Sequence, residues 1–146
     1  MIEYQSNVIL NRSVEQAYKL VSDVARFDDW TEMSGTHLVS GNNLHIGSQV
    51  ESRIKMGPMK QTMVFQVAEL EENRRLGFKT VSKGAMEWDA LFTFEPQGPS
   101  STRMISSGQL RLNGLLKLFE PLMAGEVRSG EAKELIKFKE LLESTP

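Results

Sequence analysis

The spacing of apolar positions changes period twice along the chain. Ile2 to Leu10 alternates imperfectly, with β-formers at Ile2, Tyr4, Val8 and Ile9, and predicts a strand. Ser13 with Gln16 three residues on reads as a capping box, in which each side chain satisfies an orphan amide of a first helical turn. Ala17, Tyr18, Leu20, Val21 and Val24 follow at helical spacing. A second short helical turn is expected over Val24 to Phe27, ending near Asp28, Asp29 and Trp30. From about residue 36 the period becomes two. Candidate strands run over Thr36 to Ser40, Gly47 to Met56, Met59 to Leu70, Arg75 to Ser82, Met86 to Glu95 and Ser101 to Leu112. Turns fall at Gly41-Asn42-Asn43, Gly57-Pro58, Glu71 to Asn73, Lys83-Gly84 and Pro96 to Ser101. Met86, Trp88, Ala90, Phe92 and Phe94 alternate with Glu87, Asp89, Thr93 and Glu95, the mark of a sheet with one dry face.

After Asn113-Gly114 the period returns to 3.6. Leu115, Leu118, Phe119, Leu122, Met123, Val127, Leu135, Phe138, Leu141 and Leu142 fall near one stripe, which predicts a long helix from about 114 to 143. Pro121 lacks a backbone donor and crowds the preceding turn, so a kink or a fresh start is expected there. Successive strands joined by short turns give an antiparallel meander. The expectation is an α+β fold: a curved antiparallel sheet of about seven strands wrapped around a long C-terminal helix. Two short helices lie between the first and second strands, and residues 1–146 form a single domain.

Composition narrows the function classes. The chain has 146 residues and no cysteine, which excludes disulfides, thiolate metal sites and thiol nucleophiles. The net charge is −2 with acids and bases interspersed, and nothing resembles the basic stripe that nucleic acid requires. Glu69, Glu71 and Glu72 are followed at once by Arg74 and Arg75, a solvated turn. The N-terminal stretch lacks the charged and apolar regions of a signal peptide, and no run of about 18 apolar residues predicts a membrane span. A cytoplasmic location is expected.

A helix is only about 10 Å across with its side chains. A broad sheet curling around one helix therefore leaves space unless large side chains fill it. The residues aimed at that space are Met63, Phe65, Phe78, Trp88, Ala90 and Phe92 from the sheet, and Phe119, Leu122, Met123 and Val127 from the helix. These are the candidate ligand-binding residues, although the same pattern also describes a plain core. Methionine adapts to irregular shapes and lines permissive sites. Gly125 and Gly130 stand inside the long helix, where a glycine facing the sheet would widen a cavity.

Candidate chemistry is sparse. His37 and His45 are the only histidines; His45 reads as a turn residue, and His37 has the parity to point inward if Val39 does. No metal-ligand spacing appears. Asp28 and Asp29 adjoin Trp30 but read as residues that cap or turn the second helix. Glu51 and Arg53 share a strand face, opposite Val50 and Ile54, and read as an outer surface pair; facing inward, they would anchor a ligand head group. An acid or base over an enolate could come only from His37, Tyr4, Tyr18, Glu51 or Arg53. No catalytic residue, metal or cofactor is assigned.

Three stretches carry a resemblance to a known superfamily. They are Ser13 to Tyr18 continuing through Asp23 to Trp30, Val67 to Leu76, and Leu135 to Glu143. In order and spacing they resemble the START, birch-pollen-allergen-like (SRPBCC) superfamily over essentially the whole chain. Within it, the chain is most similar to small bacterial polyketide cyclase/dehydrase and lipid-transport proteins. Ser52 to Met63, with Gly57-Pro58, also resembles carbon monoxide dehydrogenase G-like members. The resemblance implies a helix-grip fold and an internal cavity for a lipid, sterol, polyketide or quinone, in a monomer or homodimer. Three functions follow as alternatives: binding or transport of a small hydrophobic molecule, a polyketide cyclase/dehydratase-type enzyme, or an accessory docking or chaperone-like protein with a filled core and an apolar external patch.

Overall fold

The computed structural model describes residues 1–56, 59–81 and 84–144. Seven strands form one curved antiparallel sheet: β1 (Ile2–Leu10), β2 (Ser34–Leu38), β3 (Gln49–Met56), β4 (Met59–Glu71), β5 (Arg75–Thr80), β6 (Met86–Gly98) and β7 (Ser101–Leu112). Their order is β1-β7-β6-β5-β4-β3-β2, so the six later strands form a meander and the chain's first strand pairs with its last. Between β1 and β2 lie α1 (Val14–Val21), a 3-10 turn (Val24–Arg26) and the single-turn α2 (Phe27–Trp30). A 3-10 segment (Gly114–Phe119) leads from β7 into α3 (Glu120–Glu143). This is the helix-grip fold.

Local chemistry explains the boundaries. The Ser13 hydroxyl accepts from the Gln16 amide and the Gln16 side chain accepts from the Ser13 amide, both at 3.3 Å, so the capping box is formed. Asn73 turns β4 into β5 in the left-handed region at φ 62°, which Asn tolerates better than most residues. Asp28 does not pair with Asp29. Its carboxylate accepts from the amides of Gly35 (2.8 Å) and Thr36 (3.3 Å) and pins the start of β2, while Asp29 pairs with Arg26. The expected turn at Gly57-Pro58 and the Lys83 side of the next turn lie outside the described residues.

The sheet curls partly through a register shift between Val67 and Glu69 opposite β5, since an extra residue on one strand bends it. Met63, Phe65, Val67 and Phe92 are buried on the concave face, while Lys60, Thr62 and Asp89 are exposed, as the alternation requires. Trp88 and Ala90 share the concave parity but are half-buried. Glu87, expected outside, is half-buried because its carboxylate accepts from the Asn113 side chain at 3.0 Å.

The long helix departs from the sequence reading at its start. Residues 114–119 wind at about three residues per turn, so they cannot continue a 3.6-residue stripe. α3 begins afresh with Pro121 in its first turn, where its missing N–H has no intrahelical partner to lose. The face turned to the sheet is then set by Glu120, Val127, Glu131, Leu135, Phe138 and Leu142. Phe119 precedes that phase and Leu122 lies on the opposite side of it. They are 51% and 79% exposed, and neither points inward as expected. With Leu115 and Leu118 they form an apolar surface stretch. Buried Glu120 accepts from the Leu112 amide at 2.8 Å and ties the start of α3 to the end of β7.

α3 lies against β1, β7, α1 and α2. Trp30, fully buried, stacks edge-on against Phe138 at 4.9 Å and against Phe27 and Phe92 at 5.5 Å. Such pairs add about 0.5–1.5 kcal/mol each beyond the area they bury. This clamp joins α2, β6 and α3 and fixes one wall of the space between helix and sheet.

Candidate functional site: an aromatic cavity closed by a carboxyl pair

A cavity of about 90 Å³ lies between the concave face and α3. Its sheet wall is Tyr4, Val50, Ile54, Phe65, Phe78, Trp88, Ala90 and Phe92. The α2 end contributes Phe27, Trp30, Thr31, Glu32 and Met33, and α3 contributes Glu126, Val127, Gly130, Glu131 and Glu134. Lys55 completes the lining. Glu32, Lys55 and Glu126 are exposed, so the mouth opens between β3, the α2–β2 connection and α3.

Of the residues expected to line this space, Phe65, Phe78, Trp88, Ala90, Phe92 and Val127 are brought together here. Met63 is buried but sits further along β4 toward the β3–β4 turn, opposite Ser52 and away from the cavity. Met123 is half-buried one turn before Val127, against the core rather than the cavity. Phe119 and Leu122 are on the surface. Gly130 lines the cavity and a Cβ there would meet nothing within 4 Å, so this glycine does widen it, whereas Gly125 is exposed.

Neither histidine reaches the cavity. The exposed His37 ring takes the Gly35 carbonyl at 2.8 Å through Nδ1 and lies 3.7 Å from Glu51, so His37, Glu51 and Arg53 belong to the outer face. The polar groups that do reach it come from elsewhere. Tyr4 projects from β1 over Gly108 of β7, its register partner. Its hydroxyl accepts the Trp88 indole N–H at 2.8 Å, and no acceptor among the described residues takes its own proton. Burial, reinforced by Glu131, raises the Tyr4 pKa and keeps the phenol neutral.

Glu131 and Glu134 lie three residues apart on the inner face of α3, with their carboxyls in hydrogen-bonding reach of each other. Glu131 is 7% exposed. Glu134 also accepts from the Glu32 amide at 3.3 Å. Burial, and then the like charge of Glu134, pushes Glu131 up to about 9. Burial pushes Glu134 up to about 7, with the Glu32 amide acting against it. Two carboxyls in one apolar space cannot both ionise cheaply, so the pair retains a proton near neutrality. Sequence reasoning passed over these residues, yet a signal was present. Glu131 stands midway between Val127 and Leu135, four residues from each, where a core-facing helix would carry an apolar side chain.

Among the described residues no group of three or more His, Cys, Asp or Glu is arranged to hold a metal ion, and no helix is long and apolar enough to cross a membrane. The family model for polyketide cyclase/dehydrase and lipid transport matches residues 1–143. The chain belongs to that family. Solved structures of the same fold include a protein from Thermus thermophilus, at a TM-score of 0.82 and 15% identity over 97% of each chain. A START superfamily protein from Mycobacterium smegmatis superposes at 0.80 with 19% identity over 100% of both chains. The Zhui aromatase/cyclase from Streptomyces sp. R1128 superposes at 0.75 with 8% identity, over 97% of this chain and 93% of the other. No curated protein matches in sequence. These comparisons do not extend the family to carbon monoxide dehydrogenase G-like proteins, a resemblance that rested on Gly57-Pro58.

Proposed function

We propose that the chain is a single-domain cytoplasmic protein that binds a small hydrophobic molecule between the sheet and α3, without metal or cofactor. The observation that carries this reading is the cavity itself: an open apolar space walled by Phe27, Trp30, Phe65, Phe78, Trp88 and Phe92. Protein interiors hold few voids larger than a water molecule. An engineered apolar cavity of about 150 Å³ takes up benzene. At about 90 Å³ this cavity admits one end of a ligand, and a larger body would extend through the mouth past Met33 and Lys55.

The docking alternative required a filled interior with an apolar external patch. Leu115, Leu118, Phe119 and Leu122 supply the patch, but the interior is not filled. The enzymatic alternative gains from the Glu131–Glu134 pair and the Tyr4 hydroxyl, which together offer an acid, a base and a neutral donor around one cavity. A cyclisation or dehydration that moves a proton next to a carbonyl needs those three parts.

The test is native mass spectrometry of protein purified from its own host, with organic extraction of what it carries. An apolar compound bound at one per chain, and displaced by Ala90→Phe, supports the reading. Protein that carries nothing, and whose tryptophan emission is unmoved by apolar probes at high micromolar concentration, overturns it. Turnover of an extracted compound that is lost in Glu131→Gln moves the assignment to the enzyme.

A further inference from the structure

The acids at this cavity bear on which hydrophobic molecule it takes. Among the described residues, the charged side chains along the lining are Glu32, Glu126, Glu131 and Glu134, against the single cation Lys55. Lys137 acts on Glu134 from further along the helix. A carboxylate ligand such as a fatty acid would bring a further negative charge into a poorly solvated space, where like charges repel far more than in water. An ammonium meets the opposite field and the aromatic residues Trp30, Phe92 and Trp88, a residue class that attracts cations. The site is more than an acidic cluster. Tyr4, 6% exposed, lines the same cavity with a hydroxyl that accepts one donor and, among the described residues, has no partner for its second lone pair or its proton.

We propose that the ligand is a hydrophobic amine, held with its apolar body among the aromatic walls and its ammonium group between Tyr4 and the Glu131–Glu134 pair. This rests on the cavity being a binding site and names the class of its occupant. Protons balance in a simple way. The amine enters as the ammonium ion, Glu131 gives up its proton to solvent, and the site then holds a carboxylate paired with the bound cation. The groups facing Glu131 are Glu134 on the same helix, Glu32 from the α2–β2 connection and Tyr4 from β1, and none of them can supply the positive charge that an ionised Glu131 requires.

The experiment is calorimetry near neutral pH with three probes of equal size: 2-phenylethylamine, 2-phenylethanol and phenylacetate. Titrations in buffers of different ionisation enthalpy count the protons released. The amine is expected to bind at least about tenfold more tightly than the alcohol, with up to about one proton released per amine bound, while phenylacetate binds most weakly. Glu131→Gln is expected to bring the amine-to-alcohol ratio within about threefold and abolish the proton release, and Glu134→Gln to lower the same ratio. An alcohol that binds as tightly as the amine overturns the amine assignment and leaves the cavity reading standing. So does a ratio that neither substitution moves. Failure of all three probes to bind folded protein overturns both.

Discussion

The Trp88 indole N–H donates to the Tyr4 hydroxyl at 2.8 Å, with the two rings edge-on at 6.3 Å and 82°. One residue comes from β1 and the other from β6, two strands apart across β7. The bond satisfies a half-buried donor and fixes the phenol where it meets the cavity. Tyr4→Phe leaves the indole N–H without its acceptor and is expected to cost about 1–2 kcal/mol of stability. Trp88→Phe in the Tyr4→Phe background should cost less than it does alone, since both partners are then gone. A double-mutant cycle by urea denaturation should give a coupling on the order of 1 kcal/mol. Strict additivity would mean that the pair contributes nothing.

Room for that phenol comes from the strand between. A Cβ on Gly108 would stand 2.3 Å from the Asp89 carbonyl oxygen and 2.4 Å from the Tyr4 hydroxyl. The first contact is backbone of the neighbouring strand and cannot rotate away. Gly108→Ala is expected to destabilise by about 2–4 kcal/mol, a large share of what a domain of this size has to lose. Gly125→Ala is the control: it is an exposed helical position with nothing within 4 Å of the added carbon. It should stabilise by about 0.5–1 kcal/mol. Equal thermal shifts in the two variants would contradict this packing.

Gly130 separates a cavity from a core. Because a Cβ there meets nothing within 4 Å and the residue lines the cavity, Gly130→Leu should fill open space. Stability is expected to hold or rise, since burying a leucine contributes about 1.5–3 kcal/mol and glycine costs helix propensity. Probe uptake, followed by tryptophan emission, should fall at the same time. Overpacking of a filled core would instead cost about 1–3 kcal/mol, and denaturation midpoints tell the two apart.

What was legible in the sequence follows the strength of the local signal. Met86 to Glu95 alternates cleanly, and its parity places Trp88, Ala90 and Phe92 on the cavity side. Ser13 and Gln16 fix a helix start by local hydrogen bonds, and the structure forms them. Phe119 and Leu122 were misplaced because a run of apolar residues does not reveal where 3-10 winding gives way to an α-helix. Each change of pitch rotates every later side chain. Tyr4 was recognised as polar and placed on a strand, but its reach into the cavity depends on Gly108 of a strand more than a hundred residues away, which no local pattern encodes. Glu131 and Glu134 were passed over because charged residues on a helix are ordinarily solvated; only the closeness of β1 and the α2–β2 connection makes Glu131 buried and Glu134 half-buried.

The carboxyl pair makes a signed prediction for stability against pH. Both folded-state pKa values lie above the ordinary 4.5, so between that value and the folded ones the native state holds protons that the unfolded chain has lost. The contribution is fully present below 4.5 and is lost as pH rises through about 7 for Glu134 and about 9 for Glu131. Glu120 acts in the opposite direction. Hydrogen bonds from the Met1 ammonium and the Leu112 amide hold its carboxyl below the usual range, so its contribution is lost as pH falls below 4.5. The two trends place the stability maximum of the unliganded protein near the ordinary carboxyl value of 4.5, with a decline toward alkaline pH that a neutral side chain should reduce. Glu131→Gln is therefore expected to leave the melting temperature little changed at about pH 5 and to stabilise by on the order of 2 kcal/mol at about pH 9. Calorimetric melting of both proteins across that range checks it. A wild-type curve that is flat above neutrality, or a Gln variant whose gain is the same at both ends, would show that no proton is held on the pair.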